Sequence, residues 1–242
     1  SPDHIERHKT LNRYVKSKFK LLKNQTNNNL AFVKKNDLLI SKEIKKNKLK
    51  SKIIKVDTKK IKRYLKVIDN RYFSTETNKE NLSFVMEISK RLKVNDYILK
   101  RTIQKFKGLK YRQQIIFKNK YLTIINDSKS TSFSSTVDLL KTNQNIYWLV
   151  GGIHKKDDKL FLSKRYYKNI KAFIYGKNKN FFNRNLNKKV SIENFNNLKD
   201  ALKKVFKVIN KQKQIQKTIL FSPCAASFDD FKNFEERGFY FN

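Results

Sequence analysis

Beyond Gly108 the sequence settles into one repeated rhythm, in which short, almost wholly apolar runs alternate with stretches of helical spacing. The runs fall at residues 115–117, 121–125, 147–150, 172–175 and 218–221, and helices are expected after Ser132, over residues 197–209 and after Phe228. Strands that alternate with helices are joined by crossovers, which set neighbouring strands parallel and lay the helices against the sheet. The rhythm predicts an α/β unit, an open and mostly parallel sheet with helices on both faces. Ligands of such sheets sit beyond the carboxyl ends of the strands. Here those ends read Ile-Asn-Asp-Ser-Lys-Ser-Thr (125–131), Val-Gly-Gly-Ile-His-Lys (150–155) and Phe-Ser-Pro-Cys-Ala-Ala-Ser-Phe (221–228), each polar or glycine-bearing as a crevice requires.

The part before Gly108 is less regular. Leu11, Val15, Phe19 and Leu22 recur at steps of four, four and three, which predicts a helix over residues 10–24 with Lys16 and Lys20 turned away. β-like runs at Ala31-Phe32-Val33, Leu38-Leu39-Ile40 and Ile53-Ile54-Lys55-Val56 suggest a small mixed or antiparallel sheet. From Asn78 onward Leu82, Val85 and Met86, then Ile98, Ile103 and Phe106, return at roughly helical spacing, giving two helices broken near Val94-Asn95. Gly108 is a natural helix stop and sets an expected boundary between residues 1–108 and 109–242.

Composition narrows the function classes. Hydrophobic residues make up 38 % of the 242, enough for a real core. No run approaches 18 apolar residues, so neither a membrane span nor a secretory signal is expected, and the single Cys224 excludes an internal disulfide framework and fits a cytoplasmic setting. The formal net charge is +37, yet only 10 of the 57 basic residues are Arg. Lysine supplies solvated point charges rather than the bidentate fork suited to phosphate, and these lysines are spread evenly along the chain. Lys164-Arg165-Tyr166-Tyr167-Lys168 interleaves cations with aromatics, the pattern that would support a basic nucleic-acid-binding protein as the alternative, but no nucleic-acid module is recognisable and no specific nucleic-acid partner is expected.

Taken one at a time, the polar turns are ambiguous. Residues 126–131 join a carboxylate, a lysine and hydroxyls at a strand-to-helix turn, which fits either an anion site or an ordinary capped helix start. Gly151-Gly152 lets backbone approach a ligand, with Lys155 in reach of an anion, although tight turns use such pairs constantly. His4, beside Asp3, has the chemistry of a metal ligand, but a lone terminal histidine is more often solvated. Nothing in spacing singles out Lys18.

Taken in order, the pieces resemble one family. Asp-His-Ile-Glu-Arg-His (3–8), the helix at 14–22, Asn-Lys-Glu-Asn (78–81), Phe-Lys-Gly-Leu-Lys-Tyr-Arg (106–112), Asn-Asp-Ser-Lys-Ser-Thr (126–131), Gly-Gly-Ile-His-Lys (151–155) and Ser-Pro-Cys-Ala-Ala-Ser-Phe-Asp-Asp-Phe-Lys-Asn-Phe-Glu-Glu-Arg-Gly (222–238) are similar to the motifs of the bacterial Mur ligases. The last and longest string, together with Asp127-Ser128-Lys129-Ser130-Thr131, resembles the branch that adds D-glutamate rather than a sibling or folylpolyglutamate-type ligase. The resemblance implies an ATP- and magnesium-dependent ligase of peptidoglycan precursor synthesis, working as a monomer, that joins D-glutamate to UDP-N-acetylmuramoyl-L-alanine through an acyl phosphate. It implies the C-terminal part of a mixed α/β ATPase domain over residues 1–108 and a Rossmann-like domain for the incoming amino acid over 109–242. No Gly-x-x-Gly-Lys-Ser/Thr phosphate loop occurs in these residues, which implies a fragment inactive on its own.

Residue roles follow from the same resemblance. His4 and Lys18, the latter as a carbamate, would hold magnesium and form the catalytic pair. Asn78, Asn81, Arg112, Asp127 and Lys129 would contact ATP. Thr131, Lys155, Ser227, Phe228 and Phe234 would line the D-glutamate pocket, a cation and two hydroxyls for carboxylates with an aromatic wall for the short stem. The family's Leu-Pro-His-Arg stands here as Leu109-Lys110-Tyr111-Arg112, and Cys224 receives no role because amide formation needs no thiol.

Overall fold

The computed structural model describes residues 8–65, 68–211 and 215–242. They form two compact units, one ending at Lys105 and the other Phe106–Asn242. In the first, helix α1 (Leu11–Lys23) starts where the Thr10 hydroxyl accepts the Arg13 N–H at 3.2 Å. Strands β1 (Leu30–Lys34) and β2 (Lys52–Val56) pair in parallel, with Ala31, Val33, Ile54 and Val56 buried. The intervening run expected as a strand, Leu38-Leu39-Ile40, is instead the start of helix α2 (Leu38–Lys46). Asp37 caps it, its carboxylate accepting the Ile40 N–H at 3.0 Å, and Ile40 and Ile44 then turn inward four residues apart while Leu38 stays 86 % exposed. That helix is also the crossover that makes β1 and β2 parallel, so the antiparallel option is excluded.

A short helix α3 (Ile61–Leu65) leads toward the helix pair read from the sequence, α4 (Glu76–Arg91) and α5 (Asp96–Lys105), which break on either side of Val94-Asn95. Ile61, Ile68, Phe73, Leu82 and Ile103 make the core they share.

The second unit is a six-stranded sheet in the order β3-β4-β8-β5-β6-β7. Its strands are β3 (Gln114–Lys118), β4 (Leu122–Asn126), β5 (Ile146–Gly151), β6 (Ile170–Tyr175), β7 (Ser191–Asn194) and β8 (Lys217–Phe221). All neighbours are parallel except β3, which pairs antiparallel with β4 across an irregularity between Ile115 and Phe117. Side chains alternate across the sheet. Trp148, Val150 and Leu220 pack with Phe133, Leu140, Phe181 and Phe182 from helices α6 (Phe133–Thr142) and α7 (Lys179–Leu186). Tyr147, Leu149, Phe173 and Phe221 pack with Ala201, Val205 and Phe241 from α8 (Leu198–Asn210) and α9 (Phe234–Phe241). The expected α/β layering holds, with a mostly parallel sheet and helices on both sides. The last helix, expected after Phe228, begins at Phe234, where the Asn233 side chain caps it by accepting the Glu236 N–H at 2.8 Å. No helix among the described residues is long and apolar enough to cross a membrane.

Candidate active site

Strand order brings together the carboxyl ends of β4, β8 and β5, which carry the three polar turns. Arg237 on α9 ties two of these turns. Its Nε donates to the Ser128 hydroxyl at 3.1 Å, and its Nη2 donates to the Ser128 carbonyl at 2.8 Å and to the Ala225 carbonyl at 2.9 Å. The third turn is held by an antiparallel bridge between Ile153 and Ala226. Arg237 is 1 % exposed, and its Nη1 has no hydrogen-bond partner among the described residues. Gly152 makes room for it. At φ +119°, a Cβ there would stand 2.6 Å from the Ala226 carbonyl oxygen and 3.1 Å from Arg237 Nη1.

The turn after β4 is anchored at both ends. Asp127 is buried, and its Oδ2 accepts the Ser222 hydroxyl at 2.8 Å while Oδ1 accepts the Gln113 N–H at 3.0 Å. Burial pushes its carboxyl up to about 7, against the pull of the Ser222 and Gln113 hydrogen bonds and the charges of Arg112 and Arg237. The carboxylate expected to meet ATP thus faces inward. Lys129, by contrast, lies over the Phe234 ring with its Nζ 3.8 Å from the centroid, which unites two residues expected at the ligand. Ser128 completes the frame by donating to the Phe234 carbonyl at 2.8 Å.

Of the other expected residues on this unit, Ser227 is buried and its carbonyl accepts the N–H groups of Asp230 and Phe231, whereas Phe228 is 70 % exposed. Thr131 is half-buried beside α6, and Arg112 is exposed, one residue from the Gln113 amide that holds Asp127. Lys155 follows Gly152 by three residues, and its charge acts on Asp158, whose carboxyl is raised chiefly by burial while it accepts the Phe133 N–H at 2.8 Å. Next to it, the His154 ring stacks on Phe181 with 3.8 Å between centroids.

On the first unit, Lys18 and Asn81 line one open cleft of about 610 Å³, together with Lys34, Asp37 and Glu80. Lys34 and Glu80 pair at 2.5 Å. Asn78 does not join them: it is buried, and its amide donates to the Tyr72 carbonyl at 2.7 Å. His4 lies outside the described residues, among which no group of three or more His, Cys, Asp or Glu could hold a metal ion. Sequence reasoning marked Gly152 for close backbone approach and Ser222 as part of a strand end, but gave no role to Arg237 or Thr136. The one available signal was an arginine inside the long string at 222–238, opposite two glycines after a strand.

Residues 1–108 match the model of the Mur ligase middle domain. A Wolbachia relative from Brugia malayi, named UDP-N-acetylmuramoylalanine--D-glutamate ligase, is 36 % identical over 162 residues, covering 67 % of this chain and 32 % of its own length. Proteins of the same name from Francisella philomiragia and Rickettsia bellii are 31 % and 27 % identical over 98 % of this chain, covering 56 % and 57 % of theirs. The chain therefore spans between about a third and just over half of these relatives. Among solved structures, MurF from Acinetobacter baumannii superposes with a TM-score of 0.63 over 92 % of this chain and 55 % of its own, at 11 % identity, a likeness of fold. The chain belongs to the Mur ligase family.

Proposed function

We propose that these residues form part of an ATP-dependent ligase that joins the amine of D-glutamate to the carboxylate of UDP-N-acetylmuramoyl-L-alanine. The observation that carries the reading is the convergence of three turns beyond β4, β8 and β5, two fastened by Arg237 and the third by the Ile153–Ala226 bridge, on a chain whose relatives bear that ligase's name. Residues 1–108 are read as the C-terminal part of the central, nucleotide-binding domain, and residues 109–242 as the domain that takes the amino acid.

The second unit offers what a short dicarboxylate needs. Lys155 supplies a cation, Thr131 and Ser227 supply hydroxyls, and Phe234 and Phe228 supply apolar walls. Because Phe234 lies under the Lys129 ammonium, wall and cation hold a fixed relation. Arg112, Asp127 and Lys129 are assigned to the nucleotide by the family resemblance.

On the first unit the cleft lined by Lys18 and Asn81 suits a nucleotide, with the Asn81 amide free to meet a base or ribose. Magnesium fits the described residues only through Lys18 as a carbamate. Together with His4 it would add few protein ligands, which suits an ion that keeps its waters and leans on phosphate oxygens. That ion would neutralise phosphate charge.

The test is phosphate release by the gene product that contains these residues, given ATP, magnesium and UDP-N-acetylmuramoyl-L-alanine, with D-glutamate, L-glutamate or L-lysine in turn. Dependence on D-glutamate alone is expected. Stimulation by L-lysine or L-glutamate instead would assign a sibling activity, and none by any amino acid would refute the ligase reading.

A further inference from the structure

Asp127 does not end at Ser222. The Ser222 hydroxyl lies 2.5 Å from the Thr136 hydroxyl, Thr136 lies 2.8 Å from Ser130, Ser130 lies 2.7 Å from Ser135, and Ser135 lies 2.6 Å from the Ser132 carbonyl. Ser222, Thr136 and Ser130 are buried, whereas Ser135 is exposed. A hydroxyl has one proton to give and two lone pairs to receive with, so a row of them can be fully satisfied in only two directions. With Asp127 charged, every proton points inward, from Ser135 through Ser130, Thr136 and Ser222 to the carboxylate. With Asp127 neutral, its own proton goes to Ser222, each hydroxyl points outward, and Ser135 closes the row on the Ser132 carbonyl. Both arrangements use the same distances and leave no hydroxyl without a partner.

We propose that Ser222, Thr136, Ser130 and Ser135 form a two-way hydroxyl relay that connects the buried Asp127 carboxyl to solvent, and that Ser222 and Thr136 act as positioning residues for the turn at 127–131. Passage of a proton outward balances at each step: the carboxyl gives its proton to Ser222 Oγ, each oxygen passes its former proton to the next, and Ser135, its hydrogen turned from the Ser132 carbonyl to solvent, yields one to water. No hydroxyl is left charged, and the row resets as its protons rotate. The groups facing Asp127 set the poise. Burial favours the neutral acid, while the charges of Arg112 on the preceding turn and Arg237 on α9, with the Gln113 amide, favour the carboxylate. Cys224, 2.9 Å from Thr136 and itself held as a thiol by burial, adds no charge to the row. Ser130 sits between Lys129 and Thr131, so the direction of the relay is fixed within the turn that carries both. The relay stands on geometry alone; only its service to D-glutamate ligation rests on the function proposed above.

The test uses the 242-residue chain with ¹³C-labelled aspartate, following the Asp127 carboxyl by NMR across neutral pH, with Asp127→Asn identifying its signal. Thr136→Val keeps the shape and breaks the row at a residue that does not touch Asp127. Its midpoint is expected to rise by several tenths of a pH unit, roughly the loss of cooperative polarisation along the row. Thr136→Ser should restore the wild-type value, and Ser222→Ala should raise the midpoint by about one unit, since it removes the direct donor. If Thr136→Val is unfolded, Ser130→Ala breaks the next link out and should shift the midpoint the same way by less. A Thr136→Val protein, or in its place Ser130→Ala, that folds and titrates as wild type would overturn the relay. Because no substrate is present, that result would leave the ligase reading untouched.

Discussion

Replacing Arg237 by methionine keeps most of the buried stem and removes the guanidinium, which isolates what the three hydrogen bonds contribute. Each is a charge-assisted bond, worth about 1.5–3 kcal/mol in such settings, and the substitution also strands the Ser128 and Ala225 carbonyls. Against this stands relief from holding a cation at 1 % exposure with Nη1 unpartnered, a cost of several kcal/mol. The balance predicts a loss of about 3 kcal/mol in the second unit. Arg237→Lys, which keeps the charge but not the fork, should lose about 2 kcal/mol, because one ammonium cannot span two carbonyls on different turns. The assay is urea unfolding followed by tryptophan fluorescence. Trp148 is the single tryptophan and is wholly buried in the second unit, so its signal reports that unit alone. A Met variant within about 0.5 kcal/mol of wild type would refute the claim that the guanidinium fastens the two turns.

Three further outcomes follow from the same geometry. The Asp127 carboxyl is neutral in the folded chain up to about 7 but ionises near 3.8 when unfolded, so between those values the folded state holds the extra proton and its stability falls as pH rises, by at most about 1.4 kcal/mol per unit. Urea midpoints at pH 5 and pH 7 should differ in that sense, and Asp127→Asn should shrink the difference; an unchanged difference would count against a neutral Asp127. Gly152→Ala forces a Cβ against the Ala226 carbonyl at a left-handed φ, and should cost more than about 2 kcal/mol by the same fluorescence assay. Brief trypsin digestion should leave Phe106–Asn242 as the more resistant piece, since its six-stranded sheet is covered on both faces while the first unit has a two-stranded one; survival of the first piece instead would contradict this.

The architecture was readable where burial is two-sided. Residues 147–150, 172–175 and 219–221 are almost wholly apolar because each strand packs against helices above and below, and such runs announce themselves. β7 was missed for the opposite reason: Ser191-Ile192-Glu193-Asn194 lies at the sheet edge, where Glu193 pairs with Lys171 and Lys204 instead of entering the core. Leu38-Leu39-Ile40 misled because three apolar residues carry no period, and the cap at Asp37 decided the outcome. In the site, motif strings located the turns but said nothing of which way each side chain points. Asp127 and Asn78 turn inward to Ser222 and Tyr72, and Arg237, the fastener, became visible only through its three acceptors. The Asp127–Ser222 and Arg237–Ser128 pairings link residues 95 and 109 positions apart, beyond what local spacing records.

Strand β8 occupies the middle of the sheet, between β4 and β5, yet it is made after all the other strands. On a ribosome adding roughly 5–20 residues per second, β4 and β5 emerge seconds before the strand that separates them, with one edge of each uncovered. Throughout that interval the nascent chain displays two adhesive borders rich in isoleucine and leucine, each able to pair with the other or with a neighbouring polypeptide. Correct assembly thus depends on delaying a contact until its partner arrives. Trigger-type holding factors, codon tempo near residues 152–216 and any stop before Lys217 would bear on the yield of this protein far more than on the stability of the finished sheet.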